Sequence, residues 1–235
     1  MHDVERIWVS IVSTQQRPPT WVVAASAALA LLMVVDRRLW PLTRHLITTA
    51  HEGAHGLAAL LTGRRLSGIR LHSDSSGVAV SKGRASGPGM VLMLLAGYIG
   101  PGLLGLGAAA LLVAGYAVAL LWWLLALLAG LLVQIRNWFG LWSILVTVAV
   151  VFVVSWFADE QVQSAFAYLA TWFLLLGAPR PVIELYRSRR RGRCPNSDAD
   201  QLSRMTRIPV ALWIGVFLVV TVGALCLGAW WLIDA

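Results

Sequence analysis

Long apolar runs separated by short polar segments make up most of this chain. Several of these runs approach or exceed the roughly 20 residues that a helix needs to cross the hydrocarbon core of a bilayer. The pattern predicts an all-α polytopic membrane protein with about seven transmembrane helices, of which the first is the shortest. The predicted spans are residues 21–35, 42–62, 89–113, 116–133, 141–157, 162–178 and 209–233.

One connection between spans, residues 63–89, is polar and rich in glycine and serine. Two short stretches, residues 69–72 and 78–80, flank a turn-forming run at residues 73–77, and this arrangement predicts a short β-hairpin. We expect the hairpin to be cytoplasmic or re-entrant. It is either an ordinary connecting loop or an edge strand that pairs with the extended backbone of a substrate.

Composition and charge agree with a membrane protein. Because 58% of the residues are hydrophobic and only 13% are charged, a soluble enzyme is excluded. If the N-terminus lies inside, the inner segments hold 16 of the 19 lysines and arginines. This split predicts a cell-membrane protein with a cytoplasmic N-terminal segment (residues 1–20) and an outer C-terminus. The orientation and the anionic lipid of the inner leaflet account for the net charge of +8 without nucleic acid.

The run His51-Glu52-Gly53-Ala54-His55 carries the chemistry. On a helix, this spacing places two imidazoles on one face with a carboxylate beside them, which is typical of zinc hydrolases. The run lies in an apolar segment, where each ionisable residue costs about 2.5 to 3.5 kcal/mol and therefore needs a functional reason. We predict that His51 and His55 bind Zn²⁺ and that Glu52 is the general base of a peptide hydrolysis.

A catalytic zinc site needs a third protein ligand. Cys194 and Cys226 are too far apart in the chain to suggest a thiolate site or a disulfide, which leaves carboxylates as candidates. The best placed lie just before the last span. Ser197 and Asp200 resemble a capping box that starts a helix, and this accounts for Asp200 better than for Asp198. Asp198 is therefore the preferred ligand, with Asp200 and then Glu184 as alternatives.

Two further features lie near the predicted site. The glycine-rich stretch at residues 96–102 contains Pro101 and small residues that allow close helix packing, and we expect it to lie against the helix of His51. Packing without catalytic meaning is the alternative. Asn137 is interpreted as a residue that makes a helix-end hydrogen bond, with a polar contact to the site as the alternative.

Taken together, the motif at residues 51–55, the hairpin, the stretch at residues 96–102 and Ser197-Asp198-Ala199 resemble the site-2 protease family of membrane zinc metallopeptidases. The similarity is greatest to the compact bacterial branch and runs from about residue 42 to the last span. It implies a zinc ion held by the two histidines and a late aspartate, and cleavage of membrane-anchored regulatory proteins within or near the bilayer. The wider family places its aspartate in an Asp-Gly motif, which this chain lacks.

These observations predict a single membrane-embedded metallopeptidase domain over residues 1–235. Residues 63–89 form its hairpin loop, and residues 179–208 form a basic cytoplasmic loop that carries the candidate third ligand. The expected partners are a membrane-anchored protein substrate and the lipid bilayer, and no feature indicates an oligomeric state. Two alternatives remain open, a transporter of zinc or another divalent metal and an inactive scaffold with a structural metal site.

Overall fold

The computed structural model describes residues 2–192 and 196–234, which form ten helices and one two-stranded antiparallel hairpin. Cys194 and the middle of the predicted basic loop lie outside the described residues. The elements are α1 His2–Val12, α2 Thr20–Val35, α3 Trp40–Leu61, β1 Arg65–Leu71, β2 Gly77–Lys82, α4 Pro88–Val113, α5 Ala117–Gln134, α6 Trp138–Phe157, α7 Glu160–Gly177, α8 Pro179–Arg190, α9 Asp198–Thr206 and α10 Val210–Asp234.

Among the described residues, five helical segments are long and apolar enough to cross a membrane. They are α4, α5, α6, the consecutive helices α7 and α8, and α10. The chain is therefore a mostly helical, multi-pass membrane protein with a small hairpin, as predicted, but the count of seven spans is not confirmed. Two predicted spans fall outside this set: α2 is apolar but only 16 residues long, and α3 interrupts its apolar residues with a polar series that includes Arg44 and His45.

Helix α4 is the central element, since it packs against α3, α7 and α10. Its glycines make these close approaches possible. A Cβ atom on Gly100 would collide with Ala54 of α3, and one on Gly105 would lie 3.1 Å from side-chain atoms of α7. The expectation that the glycine-rich stretch packs against the helix of His51 is confirmed.

Helix α3 does not pass from one end of the bundle to the other, because both of its ends lie at the same end of the bundle. This end, called here the site end, comprises the hairpin, α8, α9 and the beginnings of α4, α6 and α10. Near its start, α3 contacts α8, where Trp40 Nε1 donates a hydrogen bond to Glu184 at 2.8 Å. Further along, Thr48 donates to the carbonyl of Ser75 in the hairpin turn at 3.0 Å, and Thr62 at its C-cap lies beside Gly89 of α4.

The N-terminal segment lies at the opposite end of the bundle, beside the turn between α4 and α5 and the end of α10. The backbone N–H of Gln15 donates to the carbonyl of Gly115 at 2.8 Å, and Arg17 donates to the carbonyl of Leu232. The prediction that residues 1–20 share the side of the hairpin, with the C-terminus on the other side, is therefore wrong. Because α3 stays at the site end, the N-terminal segment lies at the same end of the bundle as the end of α10.

Candidate metal centre

The imidazole rings of His51 and His55, both on α3, converge on one point. Their Nε2 atoms lie 3.0 Å apart, as the spacing of four residues on one helical face predicts. His55 is 5% exposed, and its Nδ1 lies 2.6 Å from the carbonyl oxygen of Met93 on α4. Since a carbonyl oxygen only accepts, Nδ1 carries a proton. Nε2 donates a hydrogen bond to Asp198 when the ring is protonated, and its lone pair faces the site when the ring is neutral.

Asp198, the first residue of α9, completes the group. Its Oδ2 lies 3.3 Å from Nε2 of His51 and 3.3 Å from Nε2 of His55. The candidate ligand atoms of the three residues all lie within 4.8 Å of one another. Burial raises the pKa of Asp198, but the hydrogen bonds to the two histidines outweigh burial and hold that pKa well below its usual range. Asp198 is therefore a carboxylate at neutral pH.

The other two candidate carboxylates lie elsewhere. Asp200 forms the predicted capping box with Ser197 and also pairs with Arg189 of α8, so that it fastens α9 in place. Glu184 accepts a hydrogen bond from Trp40, and its second oxygen lies 3.5 Å from Arg44. Of the three carboxylates, only Asp198 lies with the histidines.

Glu52 lies between the metal-binding group and the hairpin. The residue is 4% exposed, and its Oε2 is buried without a hydrogen-bond partner among the described residues. Its carboxylate accepts a hydrogen bond from the backbone N–H of Ala79 in β2 and interacts electrostatically with the two histidines and Asp198. A Cβ atom on Gly77 would lie 2.5 Å from Cγ of Glu52, so glycine at this position lets the strand cover the carboxylate.

Three residues of α4 shape the site and did not emerge from the sequence as site residues. Met93 contributes only its backbone carbonyl, for which the sequence carries no signal. Gly97 leaves no room for a side chain, because an added Cβ would collide with the His55 ring and lie 2.8 Å from Cε1 of His51. Tyr98 places its ring edge-on to His51 at 4.8 Å between centroids and stacks on Phe217. The unusual density of glycine at residues 97–102 was the available signal for the last two.

Asn137 does not make the helix-end hydrogen bond that was interpreted from the sequence. It precedes α6, but its side chain makes no capping hydrogen bond. Instead, its amide binds both backbone groups of Leu71 in β1. The hairpin is thereby attached to the connection between α5 and α6.

Comparison with known proteins supports the family resemblance drawn from the sequence. The family model described as Peptidase M50B-like matches residues 24–228, a range that contains the histidine pair, Glu52 and Asp198. No curated protein and no solved structure matches the chain significantly. Because the family match extends over most of the chain, the protein belongs to the Peptidase M50B-like family, the B-type branch of the site-2 proteases.

Proposed function

We propose that this protein is a single-domain, membrane-embedded zinc metalloprotease that hydrolyses peptide bonds of membrane-anchored proteins within or near the bilayer. One observation carries the proposal. Two imidazoles and a carboxylate converge beside Glu52, whose Oε2 is buried and unpaired among the described residues. A buried carboxylate oxygen without a partner is costly, so its retention in this place favours a role in chemistry.

The residues present fit a zinc ion. Two histidine nitrogens and one carboxylate oxygen are a ligand set that catalytic zinc sites use, with a further position left for substrate or water. The contact of His55 with Met93 supports this fit, because it fixes the ring orientation and the tautomer that a metal ligand requires. His51, His55 and Asp198 would hold the ion. When bound, zinc polarises the scissile carbonyl and lowers the pKa of a water molecule.

Glu52 is the general base in this proposal. It accepts the proton of the attacking water and delivers that proton to the leaving amine, so that the peptide bond breaks as the new carboxyl group forms. Its position supports the role, since a carboxylate beside the ligand group but outside it remains free to move a proton. The N–H of Ala79 and the close contact with Gly77 orient the side chain.

The hairpin is proposed to hold the substrate through the outer edge of β2, which faces Glu52 and pairs with no strand among the described residues. The backbone groups of Ile69 point away from β2, because its carbonyl accepts a hydrogen bond from the N–H of Arg136 at 2.9 Å. Opposed residues of an antiparallel pair direct their backbone groups either both inward or both outward. Ala79, which opposes Ile69, therefore directs its backbone groups away from β1 and towards Glu52. An extended peptide added to this edge would lie next to the base.

Charge supports an orientation with the site end in the cytoplasm. Of the lysines and arginines among the described residues, only two, Arg6 and Arg17, belong to the N-terminal segment at the opposite end. The others lie at the site end or in its connections, and cytoplasmic segments carry the excess of basic residues. We therefore propose that the metal-binding group faces the cytoplasmic half of the membrane and that both chain ends lie outside.

The test uses purified protein in liposomes with a membrane-helix substrate, comparing the wild type with Glu52→Gln and with Glu160→Gln as a control carboxylate at the opposite end. We expect bound zinc in all three proteins and cleavage by the wild type and the control only. Zinc transport into the vesicles without cleavage would identify a transporter. Zinc binding without either activity, in a folded wild type given several substrates, would identify a scaffold. Cleavage by Glu52→Gln at the wild-type rate would refute the mechanism.

A further inference from the structure

Asn137 is joined to the hairpin by both atoms of its amide. Its Nδ2 donates to the carbonyl of Leu71 at 2.6 Å, and its Oδ1 accepts from the N–H of Leu71 at 3.1 Å. A side-chain amide used in this way replaces a backbone peptide group in a β-ladder, where each backbone N–H and C=O needs a partner. The neighbouring bridge between Ile69 and Ile135 extends the same ladder.

The surroundings of Asn137 fix its position. Ile135 and Ile69 are buried together with Ile144 in one apolar cluster, which anchors the connection between α5 and α6. Gly140 provides the space for the amide, since an added Cβ there would lie 2.7 Å from Oδ1 of Asn137. The contact is therefore part of a packed unit and not an exposed surface pair.

The contact leads directly to Glu52. Leu71 opposes Gly77 in the hairpin, and Gly77 is the residue against which the side chain of Glu52 packs. A shift of Leu71 therefore moves the strand that orients the base. Asn137 thus occupies the outer edge of β1 at Leu71, whereas the outer edge of β2, beside the site, pairs with no strand among the described residues.

We propose that Asn137 is a positioning residue for peptide hydrolysis, holding the hairpin at the depth and register that align the β2 edge with Glu52. This inference rests on the proposed proteolytic function. Asn137 acts through Leu71 and Gly77, because both of its amide atoms are already bound to Leu71. Its loss should leave the zinc ligands in place while the substrate edge and the base move apart. A misplacement of about 1 Å is sufficient to lower a rate by about 100-fold.

The test compares Asn137→Ala with Asp159→Ala. Asp159 is a matched control, since it is also a polar residue that precedes a membrane helix, but its side chain caps α7 at the opposite end of the bundle. We expect both variants to keep zinc and to have similar melting temperatures. Only Asn137→Ala should show a 10- to 100-fold lower kcat/KM, with a raised KM for the membrane-anchored substrate and a lower kcat. Amide exchange should quicken in the hairpin of this variant and not in α3.

Asn137→Asp provides a second variant of nearly equal size, in case the alanine variant does not fold. It keeps an acceptor for the N–H of Leu71 but sets a carboxylate against the Leu71 carbonyl, so the same kinetic loss is expected. Folded Asn137 variants with the kinetics of the Asp159 control would overturn the inference, as would loss of zinc. If Glu52→Gln is inactive in the same assay, either result leaves the proposed function standing.

Discussion

Replacement of Gly97 by alanine tests the geometry of the metal centre most directly. The new methyl group would collide with the imidazole of His55 and approach that of His51. The His55 ring has no easy escape, because it is held by the Met93 carbonyl and is almost fully buried. Overpacking of this kind costs about 1 to 3 kcal/mol of stability. A change in ligand orientation lowers metal affinity by about 10- to 100-fold.

Helix α4 supplies its own matched control. Gly107 lies about 2.8 helical turns further along the same helix and has open space where a Cβ would be placed. Since alanine is the better helix former, Gly107→Ala should be neutral or should stabilise the protein by up to about 1 kcal/mol. Gly100→Ala is a second comparison, because its methyl group would collide with Ala54 and not with an imidazole. It should destabilise the packing of α3 on α4 with a smaller effect on zinc.

The measurements are zinc affinity by competition with a chromophoric chelator and thermal unfolding with and without added zinc. We expect Gly97→Ala to lose at least tenfold in zinc affinity and to be stabilised less by zinc than the wild type, since ligand-induced stabilisation falls with affinity. Gly107→Ala should match the wild type in both. Equal zinc affinity of these two alanine variants would refute the argument that α4 shapes the histidine pair through Gly97.

Three further predictions concern α9 and the orientation of the chain. Asp198→Ala should lose zinc and activity together, whereas Asp200→Ala should keep residual zinc binding and lose about 0.5 to 2 kcal/mol of local helix stability; equal and mild losses would mean that Asp198 is not a ligand. Burial raises the pKa of Asp200, but Ser197 and Arg189 hold that pKa below its ordinary value of 3.8. The ionised Asp200 therefore stabilises the folded protein above about pH 4, and this contribution is lost as the pH falls through the folded-state pKa. Acid unfolding of Asp200→Asn should lack that component, and a curve like that of the wild type would contradict it. Reporters fused after Arg84 and before Thr20 should give opposite sides of the membrane, with Arg84 in the cytoplasm, and a cytoplasmic signal from both would contradict the orientation.

Much of the centre could be predicted from the sequence, because it is encoded over a few neighbouring residues. The four-residue spacing of His51 and His55 places both rings on one helical face in any α-helix, and the structure shows them together. The capping box of Ser197 and Asp200 is equally local and was predicted correctly. Membrane helices follow from long apolar runs, since a bilayer leaves the backbone few other choices.

The tertiary structure decided what depends on contacts between distant residues. Asp198 joins the histidines because α9 packs on α4 and α10 through its buried residues Ala199 and Leu202. The pair of Asp200 with Arg189 adds a connection to α8. Asn137 binds the hairpin and not its own helix, a choice that its sequence neighbourhood does not reveal. The side on which the N-terminal segment lies depends on whether α3 passes through the bundle. Hydropathy alone predicted that α3 does, and therefore predicted the wrong side. A local pattern specifies which residues share a face, whereas packing decides which faces meet.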